Sequence, residues 1–507
     1  MNEVRTTSGR VRGRLRDKRG ITAFLGVPYA APPVGALRWA SPRPVADWDG
    51  VREASEFGPG AASAVPSPRQ KDEDCLYLNV WTGDPNPGGL RPVMVWIPGG
   101  GFQESESARA NIHGDLLAAN GVVVVTFNYR VGVFGFLAHP GLDVEGGMSG
   151  NFGLQDQIHA LRWVRDNIAE FGGDPGNVTV FGESAGAAAV ALLMCSPEAR
   201  GLFHRAIGQS NGPWESVHGS IPTRAEAEER ANGLLRKLDL ERFQDARAVP
   251  ATELLSVAGW VPPVDPLTNA FSPSIDGWIV PDSPFALLAR GEWADVPLLA
   301  GWNSAEGVTF APFCNRFEDA ASISAAFDAW WGEERAQVGS ELYPTTNDSL
   351  ARSSLLDVIG DVFVVQQTWE WLQRHAASGA ATFGYTFALT SAYTPVSVHT
   401  VEIDYVFGGL GPHWLGADVG APDTRDHEVA QQMMAYWTNF ARTGDPNGAG
   451  LPLWPRYVPE LPAVMTFTSK TTSAAQELGT DRYRFLQDLR GPDLRRPSSW
   501  RGNYISP

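Results

Sequence analysis

Hydrophobic positions along the chain fall into two kinds of pattern. Short runs rich in β-branched residues end in glycine or polar turns: Val93–Ile97, Val122–Phe127, Asn177–Phe181, Val296–Ala300 and Thr382–Leu389. Uninterrupted apolar runs of this length predict strands buried on both faces of one sheet. Between the second and third runs, Leu154, Ile158, Leu161, Val164, Ile168 and Phe171 recur at intervals of three and four residues. That spacing predicts an amphipathic helix over Leu154 to Phe171. Strands alternating with helices imply βαβ crossovers, and so an α/β fold with a mostly parallel central sheet and helices on both faces.

Strand-like runs continue to Val464–Thr468, and no low-complexity linker divides the 507 residues. A single large domain, 1–507, is therefore expected, with two insertions. The first, about 223–271, comprises Thr223–Asp239 and Ala251–Phe271 and follows the strand-like Arg205–Gln209. The second, about 313–371, is rich in Trp and Phe and helical in pattern, and is expected to form a cap beside a pocket.

Composition narrows the partners. With 43% hydrophobic and 19% charged residues, the chain has enough apolar material for a large core. The net charge is −17, and only four of the 40 basic residues are lysine, so no basic stripe is available to neutralise phosphates. Nucleic acid is not an expected partner. The first twenty residues are polar and charged, and no stretch reaches a membrane-spanning length of about 18 apolar residues. A soluble, cytoplasmic protein without a membrane partner is expected, as a monomer or weak homo-oligomer. Cys75, Cys195 and Cys314 match neither a disulfide framework nor zinc-site spacing.

Candidate chemistry lies in the pattern G-x-S-x-G, where a serine sits on a tight turn between a strand and a helix. It occurs twice, as Gly182-Glu183-Ser184-Ala185-Gly186 and as Gly208-Gln209-Ser210-Asn211-Gly212. Ser184 follows the strand-like NVTVF and precedes AGAAAVALLMC, a run of strong helix formers; Ser210 is followed by Gly212-Pro213-Trp214. Ser184 is thus the nucleophile candidate. Its chemistry needs donors for a tetrahedral oxyanion, and the strand Val93–Ile97 runs into Pro98-Gly99-Gly100-Gly101-Phe102, where glycines let backbone amides approach a ligand. Gly100 and Gly101, with the amide of Ala185, are the expected oxyanion hole. The order serine, acid, histidine directs attention beyond Ser184. Glu306 stands just after the strand ending at Ala300, and His399 is the best-placed base among His375, His399, His413 and His427.

These residues lie in longer segments that resemble the type-B carboxylesterases, a family that includes bacterial para-nitrobenzyl esterases and shares a fold with cholinesterases. The similarity runs through GVPYAAPPVGALRW (26–39), EDCLYLNVW (73–81), NYRVGVFGFL (128–137), GGDPGNVTVFGESAG (172–186), VHTVEIDYVFG (398–408) and WTNFARTGDPN (437–447). The resemblance implies an α/β-hydrolase fold with helical insertions around an active-site gorge, and a Ser184, Glu306, His399 triad. It also implies that Ser210 and Glu183 stand close behind the triad, and that Arg38 pairs with Glu73 and Arg130 with Asp156. Pro98 departs from the histidine usual before the glycine run, which puts the support of that loop in question.

The implied activity is cofactor-independent hydrolysis, without metal, of a small-molecule carboxylic ester through an acyl-enzyme. Carbamate or amide hydrolysis by the same triad is an alternative, since the serine, base and hole serve either acyl group. A non-catalytic adhesion-type homologue is a remote one, because such members lose the nucleophile.

Overall fold

The computed structural model describes residues 2–490 apart from 17–18, 84–88, 144–148, 214–220, 260–270, 315–316, 412–418 and 478. Its centre is an eleven-stranded sheet, whose strands in chain order are β1 (Arg14–Leu15), β2 (Thr22–Pro28), β3 (Tyr77–Thr82), β4 (Arg91–Ile97), β5 (Val123–Phe127), β6 (Gly173–Glu183), β7 (Arg205–Gln209), β8 (Leu298–Asn303), β9 (Thr382–Ala388), β10 (Ala463–Thr468) and β11 (Thr472–Gln476). Across the sheet the order is β11-β10-β9-β8-β7-β6-β4-β5-β3-β2-β1. Every pairing from β10 to β5 is parallel, and the pairings outside that block are antiparallel. This is the α/β-hydrolase fold that the resemblance implies. A smaller sheet of Glu3–Thr6, Gly9–Arg12 and Val51–Glu53 accompanies it.

The alternation of side chains along each strand divides the interior into two cores. Val93, Val95 and Ile97 of β4 and Val123 and Val125 of β5 enter one, together with α1 (Phe152–Asn167), α2 (Ala185–Cys195) and α3 (Gln366–Ala377). Met94 and Trp96 of β4, Val124 of β5 and Phe181 of β6 enter the other, against α4 (Thr424–Thr443). Both faces are thus covered, which explains why these strands read as unbroken apolar runs. The expected helix over Leu154 to Phe171 is α-helical to Asn167 and tightens to a 3₁₀ turn over Ile168–Phe171. The strand expected at Val296–Ala300 begins instead at Leu298, after Pro297, and continues to Asn303.

Two buried ion pairs pin the loops on the α1 side. Arg38 binds Glu73 through Nε (2.7 Å) and Nη2 (2.5 Å), and Arg130 binds Asp156 through Nε (2.8 Å) and Nη2 (2.7 Å). Loss of one partner would strand a buried charge, at a cost of about 3–5 kcal/mol. Arg38 Nη1 also donates to the carbonyls of Arg247 and Val249, so the same pair ties the region of the first expected insertion to the body. In the second expected insertion, Ala320–Trp331, Ala336–Leu342 and Asp348–Gly360 are helical, and a π-helical turn, Asp361–Val365, leads into α3.

Among the described residues no helix is long and apolar enough to cross a membrane. Cys75, Cys195 and Cys314 are all buried thiols. Alkylation under denaturing conditions without prior reduction should therefore modify all three, as counted by intact mass. Two thiols missing from that count would show a disulfide that the structure does not contain.

Candidate active site

Ser184 closes the carboxyl end of β6 with φ 56° and ψ −126°, a conformation that L-residues rarely adopt. Its amide donates to the Gln209 carbonyl (2.9 Å), while its carbonyl accepts the Ala188 amide (3.0 Å) and so starts α2. The flanking glycines are needed for contact. A Cβ on Gly182 would lie 2.6 Å from the Gly186 backbone, and one on Gly186 would strike the Ile97 carbonyl. Strand, strained serine and helix thus follow one another directly. The second pentapeptide differs: Ser210 directly follows β7, but 210–213 are not helical.

Glu306 follows β8, and its loop pairs with the loop carrying His399 through a parallel bridge between Ala305 and Val398. The Ala305 amide donates to the Ser397 carbonyl (3.0 Å). This register sets Glu306 Oε2 2.6 Å from His399 Nδ1, while Glu306 Oε1 accepts the Asn303 amide at 2.7 Å. Phe310 covers the imidazole, with ring centres 5.6 Å apart. The side chain of Glu306 is fully buried and that of His399 nearly so.

The loop after β4 turns at Gly100 (φ 119°) and Gly101 (φ 63°), values open to glycine, and Phe102 follows in the left-handed region at 57°. The Phe102 carbonyl accepts the Gly132 amide (2.7 Å). Proline at position 98 does not leave the loop unsupported, because Tyr129 Oη donates to the Pro98 carbonyl at 2.9 Å. Gly100, Gly101, Ser184 and His399 line one cavity of about 230 Å³. Its apolar walls include Trp96, Ile112, Phe310 and Ile403, and Phe363 of the π-helical turn, so the second expected insertion does reach the pocket. A half-buried serine at an elbow, an imidazole backed by a buried acid and a glycine turn around one cavity are the parts that acyl transfer requires.

The family model described as "Carboxylesterase family" matches residues 1–486. The chain belongs to the carboxylesterase family. It is 36% identical over 497 residues to a fumonisin B1 esterase of Sphingopyxis macrogoltabida, an alignment covering 92% of this chain and 86% of that protein. It is 34% identical over 538 residues to a cholinesterase of Mus musculus, covering 96% of this chain and 85% of that one. The protein is a carboxylic-ester hydrolase.

The enzyme's carboxyl groups surround the imidazole more closely than sequence reasoning foresaw. His399 Nε2 faces Glu183 Oε1 at 3.2 Å, without the alignment of a hydrogen bond. Glu402, three residues past His399, is also buried, bound by Asn303 Nδ2 and by Gln209 Nε2 (3.2 Å). Asn303 Nδ2 also lies 3.4 Å from Ser210 Oγ, which places Ser210 behind the acid's loop. Glu402 was accessible only as an acidic neighbour of the histidine; its burial depends on Gln209 and Asn303, far away in the chain. Of the other candidate bases, His375 is buried beside Thr382, His427 is exposed on α4, and His413 lies outside the described residues.

Burial alone would lower the basicity of His399, but Glu183 and Glu306 outweigh it and push its pKa up to about 9. Burial raises Glu183 well above the usual carboxylate range, against the pull of His399, and Glu402 and Glu306 add to the rise. Burial also raises Glu402, to about 7. Both Glu183 and His399 are thus shifted upward, each acting on the other across 3.2 Å, so the pair titrates together. An imidazole accepts a proton only when neutral. The kcat/KM of an uncharged ester should therefore rise with pH through a midpoint above the ordinary imidazole value of 6.5. Glu183→Gln removes the charge facing Nε2 and should move that midpoint down. A pH profile of both proteins checks this; an unchanged or raised midpoint in the variant would show that Glu183 does not set the basicity.

Proposed function

We propose that the enzyme hydrolyses small carboxylic esters through an acyl-enzyme on Ser184, with His399 as general base and acid and Glu306 as its orienting partner. The observation that carries this reading is the 2.6 Å contact of buried Glu306 with Nδ1 of His399, which lines the same cavity as Ser184. That contact fixes the Nδ1–H tautomer and leaves Nε2 to accept a proton. In the first half-reaction Nε2 turns from Glu183 to the adjoining Ser184 and takes the Oγ proton as Oγ attacks the ester carbonyl. The amides of Gly100, Gly101 and Ala185 receive the developing oxyanion, each donor of this kind being worth about 2.7–4 kcal/mol in the transition state. The tetrahedral adduct collapses, and His399 returns the proton to the departing alkoxide. Water, deprotonated by the same nitrogen, then cleaves the acyl-enzyme and restores Ser184. Ser210 and Glu183 support the acid's loop and the base without bonding to the substrate.

The relatives' names both denote ester cleavage, which supports an ester over a carbamate or amide. Apolar walls around a cavity of about 230 Å³ favour an uncharged acyl or alcohol group. A panel of para-nitrophenyl esters of increasing acyl length, aryl carbamates and anilides tests this directly. Short-chain esters should turn over fastest, with carbamates accumulating as slow carbamoyl-enzymes. Faster cleavage of an anilide than of the matching ester would move the enzyme to amide hydrolysis.

A further inference from the structure

Glu104, three residues past Gly101, takes no part in the steps above, yet it forms the back of the glycine turn. Its amide donates to the Gly100 carbonyl (3.1 Å), beside that of Gln103 (2.9 Å). A Cβ on Gly100 would collide with Glu104 Cγ and lie 2.7 Å from the Glu104 carbonyl oxygen, so the glutamate stem rests on the Gly100 Cα. The carboxylate is held from two sides. Arg109 binds Oε1, and Lys71 Nζ lies 4.0 Å from Oε2. Lys71, one of only four lysines in the chain, also donates to Ser63 Oγ (2.8 Å) and to the Val65 carbonyl (2.5 Å). The side chains of Glu104 and Lys71 are only 15% and 12% exposed, which limits screening of their attraction by salt. Val65, Glu104 and Arg109 line the same cavity as Gly100 and Gly101.

We propose that Glu104 is a positioning residue, which fixes the direction of the Gly100 and Gly101 amides through its backbone bond to Gly100 and its ion pairs with Arg109 and Lys71. The inference rests on the reading of those amides as oxyanion donors. Tyr129 anchors the loop before the turn, at Pro98, and Glu104 anchors it behind. The oxyanion carries its full charge only in the tetrahedral state, so a loosened turn weakens binding of that state and leaves substrate binding nearly intact.

E104Q keeps the stem and the backbone bond and removes the charge. With para-nitrophenyl acetate its kcat should fall by about 10- to 100-fold, the range for a small misplacement of catalytic groups, with KM changed by less than about threefold. Affinity for a trifluoromethyl ketone, whose adduct with the serine presents an oxyanion, should fall by a similar factor. A merely structural role would lower the melting temperature or the titrated fraction of active sites without moving the ketone affinity of those that remain. Arg109→Gln breaks the same pair from the other side and carries the same expectation if E104Q does not fold. Unchanged kcat and ketone affinity in the folded variant, with Ser184→Ala inactive, would overturn the role of Glu104 alone. An active Ser184→Ala would instead overturn the assignment of the nucleophile on which the inference rests.

Discussion

Ser184→Ala is expected to lower turnover of a para-nitrophenyl ester by about a million-fold, the scale found when a triad nucleophile is removed, while the fold persists. Alanine fits the site because the elbow is set by the contacts of Gly182 and Gly186 and by the Ser184 backbone bonds to Gln209 and Ala188, none of which uses the hydroxyl. Ser210→Ala should cost no more than about tenfold, because it removes a single hydrogen-bond partner, 3.4 Å from Asn303. Initial rates of the purified variants, with circular dichroism as the control for folding, separate the two serines. If Ser210→Ala is the inactive protein, the nucleophile has been assigned to the wrong pentapeptide.

His399→Ala should be nearly as severe, again about a million-fold, because among the described residues no other imidazole lines the cavity to take the Ser184 proton. Its removal also leaves Glu183 and Glu402 buried without the imidazole that offsets their charges, so both should hold their protons more tightly. His375 makes the instructive control. It is buried at the end of α3, with Nδ1 2.8 Å from Thr382 Oγ1, and burial pulls its pKa down to about 4. It is therefore neutral at working pH, and His375→Ala should affect packing and not the chemistry. His427, exposed on α4, should be silent. A loss at either position as large as that at His399 would contradict the role given to His399.

The parts of this enzyme that could be read from sequence are those set by short-range geometry. Ser184 could be separated from Ser210 because an elbow needs a strand on one side and helix formers on the other, and both lie within ten residues of it. The unbroken apolar strands were legible for a similar reason, since burial on both faces erases the alternation of a half-exposed strand. Features that depend on distant partners were not. The π-helical turn at Asp361–Val365 turns Asp361 inward to Tyr343 and Arg482, which no local pattern around Asp361 announces. Glu183 was expected close behind the triad, but only the fold shows its carboxylate against His399 Nε2. The start of β8 after Pro297, where the apolar pattern suggested Val296, reflects the missing amide of proline, which cannot join a ladder.

The central claim, that acyl transfer runs through Ser184, is tested most directly by covalent trapping. A diethyl phosphate ester with a para-nitrophenol leaving group should inactivate the enzyme and leave one phosphoryl adduct per active site. Peptide mapping by tandem mass spectrometry should place it within GESAG, on Ser184, and its extent should track the loss of activity. Full inactivation with the adduct on Ser210, or with Ser184 unmodified, would contradict the account.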